Sequence, residues 1–144
     1  MIDLLAEFAR HGVDALLVGG QAVALHGVPC FTKDADLWLR DTPENLSRAT
    51  AALVAFGAPV ATIEALVPAA DLDVVWMGAP PARIDLLKAV PGGDFDRAWA
   101  SRVRVEIAGV AVDVVSRDEL IRLKRASGRP QDLFDAASLE QLRG

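Results

Sequence analysis

Asp34 and Asp36 stand two residues apart, at the head of the short apolar segment Leu37-Trp38-Leu39. On a β-strand, residues i and i+2 project from the same face, with Cα atoms about 6.5–7 Å apart. Two carboxylates on one strand face repel each other unless a cation is bound. At this separation they can bind one divalent ion, or two ions about 3.5–4 Å apart. The spacing therefore predicts a metal site; the alternative is a pair of solvated charges at an exposed strand end.

A glycine pair precedes these aspartates and follows the apolar run of residues 15–18. Gly19 and Gly20 are predicted to form a turn from a strand into a short helix, which Gln21 begins. Such a turn offers backbone N–H groups and the positive end of a helix dipole to phosphate. We therefore predict that Gly19, Gly20 and Gln21 bind the phosphates of a nucleotide. The alternative is that the glycines only provide the positive φ angles of a turn.

These residues and the C-terminal segment together resemble the nucleotidyltransferase superfamily, which has the DNA polymerase β-like fold. Its members carry a glycine pair, a short helix, Asp-x-Asp on the next strand and a third acid on a later strand. The closer likeness is to small bacterial nucleotidyltransferases that include abortive-infection-type toxins of type IV toxin–antitoxin systems. Those end in a Lys, an Arg and two Asp residues, which are similar to Lys124, Arg129, Asp132 and Asp135 here. Cys30 stands where many of those relatives have Arg.

The resemblance implies transfer of a nucleoside monophosphate from an NTP to an acceptor. Two Mg²⁺ ions, which Mn²⁺ can replace, would be bound by Asp34, Asp36 and a third acid. Asp85 lies in an apolar strand where a charge needs a partner, and its likeness to the third acid of the superfamily, on a later strand, makes it our choice. Asp73 and Asp113 are the competing candidates.

The C-terminal basic residue Lys124 is implied to contact phosphate, for which an ammonium on a long stem is suited. Thr32, Lys33, Arg129 and Asp132 are accessory candidates. Each has a structural alternative: Lys124 lies near a helix C-terminus, which favours a positive charge, and Asp132 can pair with a neighbouring basic residue.

The acceptor can be a protein side chain, an RNA end or a small molecule. A chain of 144 residues has little room for a separate acceptor domain, so we expect a homodimer or a partner chain such as a cognate antitoxin. Two rival functions stay open. One is a nucleotide-binding or interaction module without turnover. The other is a phosphohydrolase with Asp34 as nucleophile. Such enzymes place this Asp after an apolar strand, whereas Pro29-Cys30-Phe31-Thr32-Lys33 precedes it here, which disfavours this function.

The composition limits the class of protein. Hydrophobic residues make up 52% of the 144 residues, which is enough for the core of one domain, 1–144. No apolar run approaches the roughly 18–20 residues of a membrane span. The single cysteine excludes an internal disulfide and fits the cytoplasm. The net charge of −5 disfavours a broad nucleic-acid-binding surface, which needs many basic residues.

The periodicity and the turn residues predict the elements that position these side chains. Predicted strands are 15–18, 35–40, 73–77, 83–87, 102–107 and 110–115. Predicted helices are 3–10, 21–25, 43–56, 94–101, 117–127 and 130–142, with a weaker helix or loop at 61–70. The hairpin predicted around Ala108-Gly109 disfavours a purely parallel sheet. The sequence therefore predicts an α+β fold: a mixed β-sheet with helices packed on it and helices at its C-terminus.

Overall fold

The computed structural model describes residues 1–28, 34–66, 73–78 and 83–142. Three residues named above, Cys30, Thr32 and Lys33, lie outside these ranges. The helices of the described residues are α1 (Ile2–Arg10), α2 (Gly19–Leu25), α3 (Pro43–Phe56), α4 (Val60–Ala65), α5 (Phe95–Ala100), α6 (Arg117–Ser127) and α7 (Pro130–Gln141). The strands are β1 (Ala15–Val18), β2 (Ala35–Leu39), β3 (Val74–Met77), β4 (Ile84–Leu87), β5 (Val103–Ile107) and β6 (Val110–Val114).

These strands form one sheet in the order β3-β4-β2-β1-β6-β5. Strand β1 is antiparallel to β2 and parallel to β6, and β2 is parallel to β4. The edge strands β3 and β5 run antiparallel to β4 and β6. The mixed sheet with helices packed on it confirms the predicted α+β class.

Local signals in the sequence fix the ends of several elements. Thr42 caps α3 by accepting a hydrogen bond from the Asn45 N–H, and Gly57 ends this helix in the left-handed conformation. Ser116 and Gly128 do the same for α6. In the weaker region, a helix forms only over Val60–Ala65, and residues 67–70 lie outside the described part.

The two faces of the sheet differ in what they bury. Leu17, Leu37 and Leu86 pair across β1, β2 and β4, so they share one face of the sheet, where all three are buried in the core; Asp36 and Asp85 lie on the other face. Helix α1 packs against α3 and β6, and α6 packs against α7 and α2. Among the described residues, no helix is long and apolar enough to cross a membrane.

Candidate functional site

One row of paired residues runs across four strands and brings the predicted acids together. Asp36 of β2 pairs with Asp85 of β4, although 49 positions separate them in the chain. Asp36 also pairs with Val18 of β1, and Asp85 with Trp76 of β3. Side chains of directly paired residues share a face, so Asp36 and Asp85 are neighbours on one face of the sheet.

An open cavity of about 740 Å³ lies over this row. Most of the predicted site residues that the structure describes line it: Gly19, Gly20, Asp34, Asp36, Asp85, Lys124, Arg129 and Asp132. Gln21 is not among its lining residues. The fold therefore brings the glycine turn, the three acids and the C-terminal charged residues to one place.

Gly19 has a role that its spacing did not indicate. Its φ is +69°, and a Cβ atom there would lie far inside van der Waals contact of Asp36 Oδ2. The absence of a side chain at Gly19 therefore makes room for the carboxylate of Asp36. The glycine turn and the Asp-x-Asp segment form a single packed unit rather than two neighbouring motifs.

The carboxyl group of Asp36 is in an unfavourable environment for a negative charge. Burial raises the pKa of Asp36 to about 6. The negative charge of Asp85 and a side-chain hydrogen bond with Asp85 also raise it. Asp34 adds to the rise, whereas the Lys124 ammonium opposes it. Two acids that share one face this closely form a site that a cation would stabilise.

Arg83 supplies part of that positive charge. Its Nε donates to Asp85 Oδ1 at 2.6 Å and its second guanidinium nitrogen to Oδ2 at 3.3 Å. The Arg83 backbone N–H donates to Asp34 Oδ1 at 2.9 Å, and the guanidinium lies 5.3 Å from the centre of the Trp76 ring. Sequence reasoning missed Arg83, although its position two residues before Asp85 on a strand indicates a shared face.

The opposite wall of the cavity is a network of charged side chains from α6 and α7. The Lys124 ammonium donates to Asp132 at 2.9 Å and lies 3.3 Å from Asp135. Asp132 also accepts from Ser127 and, at 2.8 Å, from Arg129. Burial would raise the pKa of Asp132, but the hydrogen bonds from Ser127, Lys124 and Arg129 outweigh it and lower the pKa. Lys124 is thus held in place by two carboxylates.

The donor set fits a divalent cation in part. Asp36 and Asp85 provide adjacent carboxylate oxygens, the ligands that Mg²⁺ prefers, and a cation bound between them would offset the repulsion that contributes to the raised pKa of Asp36. Within the described ranges, however, no three acidic, His or Cys side chains are grouped closely enough to bind a metal ion as they stand. Asp34 lines the cavity but accepts from the Arg83 N–H instead.

Two titratable residues that do not line this cavity occupy structural positions. Asp113, a rival for the third acid, forms ion pairs with Arg102 and Arg104 and lines a different cavity. Nε2 of His26 lies 2.8 Å from the backbone oxygen of Val115, so this ring joins α2 to the end of β6.

The raised pKa of Asp36 gives a testable dependence of stability on pH. Without metal, folding favours the protonated carboxyl group, so the free energy of unfolding of the wild type should fall as pH rises from 3.8 to about 6. Asp36→Asn cannot lose a proton and should lack this component. Urea unfolding of both proteins in EDTA at pH 4 and pH 7 measures it. A difference between the two proteins that stays constant with pH would contradict the assignment.

No protein-family model and no curated protein matches the chain. Solved structures do match. A proposed nucleotidyltransferase from Thermotoga maritima is 15% identical over 99% of this chain and 87% of its own, with a TM-score of 0.62. An antigenic nucleotidyltransferase-like protein from Paracoccidioides brasiliensis is 21% identical over 96% of this chain and 72% of its own, with a TM-score of 0.55. At these identities the likeness shows the fold: this chain has a nucleotidyltransferase-like fold.

Proposed function

We propose that this protein is a metal-dependent nucleotidyltransferase, which moves a nucleoside monophosphate from an NTP to an acceptor hydroxyl. The observation that carries the proposal is the contact between Asp36 and Asp85, beside Gly19, in the cavity of a nucleotidyltransferase-like fold. Paired carboxylates next to a glycine turn fit metal-bound phosphate chemistry.

Asp36 and Asp85, with Asp34, would bind one or two Mg²⁺ or Mn²⁺ ions. When bound, the ions would neutralise the departing pyrophosphate and lower the pKa of the acceptor hydroxyl. For this, Asp36 must be ionised and Asp85 must release the Arg83 guanidinium, which pairs with it in this structure. Asp85 is the acid that we assign to the acceptor side.

The donor phosphates are assigned to the other side of the acids. Gly19 and Gly20 lie at the end of β1 and bring backbone N–H groups to the cavity. Lys124 lies on α6, which packs against the helix that the glycines begin. Lys124 donates one hydrogen bond to Asp132 and lies 3.3 Å from Asp135, and its three N–H donors leave one for a phosphate oxygen.

A second candidate function is a nucleotide-binding or interaction module without turnover. Three ion pairs favour it, because Arg83 neutralises Asp85 and two carboxylates hold Lys124. Such a protein would bind a nucleotide but would not rearrange these pairs for transfer.

Incubation with NTPs labelled at the α- or the γ-phosphate, with Mg²⁺ and a cell extract, separates these functions. Transfer of the α-label to an acceptor, with the γ-label released as pyrophosphate, is expected. Nucleotide binding without transfer would support the second function. Release of inorganic phosphate would indicate a phosphohydrolase instead.

The same assay addresses the acceptor and the partner. Label can move to a protein side chain, an RNA end or a small molecule, which gel electrophoresis and nuclease or protease digestion distinguish. A homodimer or a partner chain such as a cognate antitoxin stays a prediction, as does a cytoplasmic location.

A further inference from the structure

Trp76 is an exposed aromatic residue beside the acids. Its side chain is 58% exposed, whereas Trp38 is buried. It lies on the edge strand β3, directly opposite Asp85 and on the same face of the sheet. Neighbouring strands are about 4.8 Å apart, so the backbone at Trp76 lies roughly 10 Å from the backbone at Asp36. That distance is within the reach of one nucleotide bound at the acids.

The positively charged side chain of Arg83 lies close to the Trp76 ring. The Arg83 guanidinium lies 5.3 Å from the ring centre, is 38% exposed and lines the cavity, as does Val74 two residues before Trp76. Trp76 itself is not among the lining residues, so its flat apolar ring lies at the outer rim of the cavity, next to the planar cation of Arg83. This combination is suited to a nucleobase, which stacks, joined to a phosphate, which pairs with guanidinium.

The order of the strands decides which substrate meets this rim. In nucleotidyl transfer the attacking oxygen and the leaving pyrophosphate lie roughly in line on opposite sides of the α-phosphorus. We assign pyrophosphate to the side of Gly19 and Lys124, where β1 ends. Asp36 and Asp85 lie between that side and β3. The acceptor must then approach from the side of β3, where Trp76 and Arg83 lie.

We infer that Trp76 and Arg83 form the acceptor subsite, and that the acceptor is the 3′ end of a single-stranded RNA. The inference rests on the proposed transferase function. The terminal base stacks on Trp76, and the phosphate before it pairs with Arg83. The 3′ oxygen forms a bond to the α-phosphorus, the bond from that phosphorus to the pyrophosphate oxygen breaks, and pyrophosphate leaves with the electron pair. The hydroxyl proton passes to Asp85.

Charge favours an RNA end over a protein side chain. A tyrosine could stack on Trp76 and present a hydroxyl, but it brings no phosphate for Arg83. One or two nucleotides at the rim also suit a chain of net charge −5, which lacks the charge for a long nucleic-acid footprint. A phosphate that pairs with Arg83 would also release Asp85 from its ion pair. Acceptor binding would therefore free Asp85 to accept the hydroxyl proton.

Tryptophan fluorescence tests the subsite without requiring turnover. The probe is an oligoadenylate RNA of about eight nucleotides with a free 3′ hydroxyl, a length within the usual range for one binding site. We expect it to quench the fluorescence of the wild type. Trp76→Leu should lose the quenching and bind the RNA about 5- to 100-fold more weakly, whereas Trp76→Phe, which keeps a ring, should retain most of the affinity.

Trp99→Phe is the matched control, because Trp99 stacks with Phe95 and lines the other cavity, which contains Asp113. It should leave the RNA affinity and the quenching by RNA in place. Equal RNA affinities for the wild type and Trp76→Leu would overturn the inference. So would tighter binding of a tyrosine-containing peptide than of RNA, or a loss of NTP affinity instead of RNA affinity in Trp76→Leu.

Titration of a nonhydrolysable NTP with Mg²⁺ into the same preparations separates this inference from the proposed function. If the NTP binds the wild type and the RNA does not, the acceptor inference is wrong and the transferase proposal stands. If the RNA binds through Trp76 and the NTP does not, the transferase proposal is wrong. The stacking surface for RNA would stand, but its role as an acceptor subsite would be overturned.

Discussion

Asp36→Asn is expected to reduce nucleotidyl transfer by about 1,000-fold or more. Asp36 is in contact with Asp85 and with the backbone at Gly19, so its carboxylate is central to the proposed metal site. Loss of a bound metal removes several kcal/mol of charge stabilisation from the transition state, and about 1.4 kcal/mol corresponds to a tenfold change in rate. A single-turnover assay with α-labelled NTP measures the loss.

The same substitution should leave the protein folded and, at neutral pH without metal, slightly more stable. The amide keeps the shape of the side chain and removes a charge that burial and Asp85 disfavour. Asp3→Asn, on the exposed surface of α1, is the control and should keep the wild-type rate. Transfer by Asp36→Asn at the wild-type rate would contradict the metal assignment.

Gly19→Ala is expected to destabilise the protein by about 2–4 kcal/mol and to reduce transfer strongly. The new methyl group would collide with the Asp36 carboxylate, and the positive φ is strained for alanine. Relief of the collision requires the Asp36 carboxylate to leave the position that it holds between Gly19 and Asp85. Urea unfolding gives the stability, and the transfer assay gives the activity.

Gly12→Ala separates the effect of strain from the effect of the collision. Gly12 has nearly the same φ, +66°, but no atom lies within 4 Å of the position of its Cβ. It should lose only about 1 kcal/mol of stability and keep its activity. Equal losses of activity in the two variants would show that the collision with Asp36 is not the cause.

The fold could be predicted because its signals are local. Thr42 and Ser116 cap helices, Gly57 and Gly128 end them, and the hairpin turns at Ala108 and Gly109. Each of these effects acts within a few residues of the chain. The alternation of buried and exposed positions then indicates which face of each strand meets the core.

The site could be predicted only in part. The resemblance to the nucleotidyltransferase superfamily directed attention to Asp85, but the register that places it beside Asp36 depends on the order of strands. No spacing in the sequence encodes that β2 and β4 are neighbours. The need for glycine at position 19 also depends on the fold. Any side chain there would collide with Asp36, which lies on another element.

The charged partners were the least predictable part. The sequence indicated Lys124 as a phosphate contact, and its pairing with Asp132 and Asp135 arises because α6 and α7 pack together. Arg83 escaped notice because a basic residue at the start of a strand has many uses. Its position between Asp85 and Trp76 is a property of two adjacent strands.

A crystal structure with Mn²⁺ and a nonhydrolysable NTP tests the central claim most directly, because the anomalous signal of manganese locates the ion. The account requires manganese bound to Asp36 and Asp85, with the Arg83 guanidinium displaced from Asp85 and the phosphates beside Gly19 and Gly20. Nucleotide bound in the cavity with no manganese at these carboxylates, and with Arg83 still paired to Asp85, would contradict it.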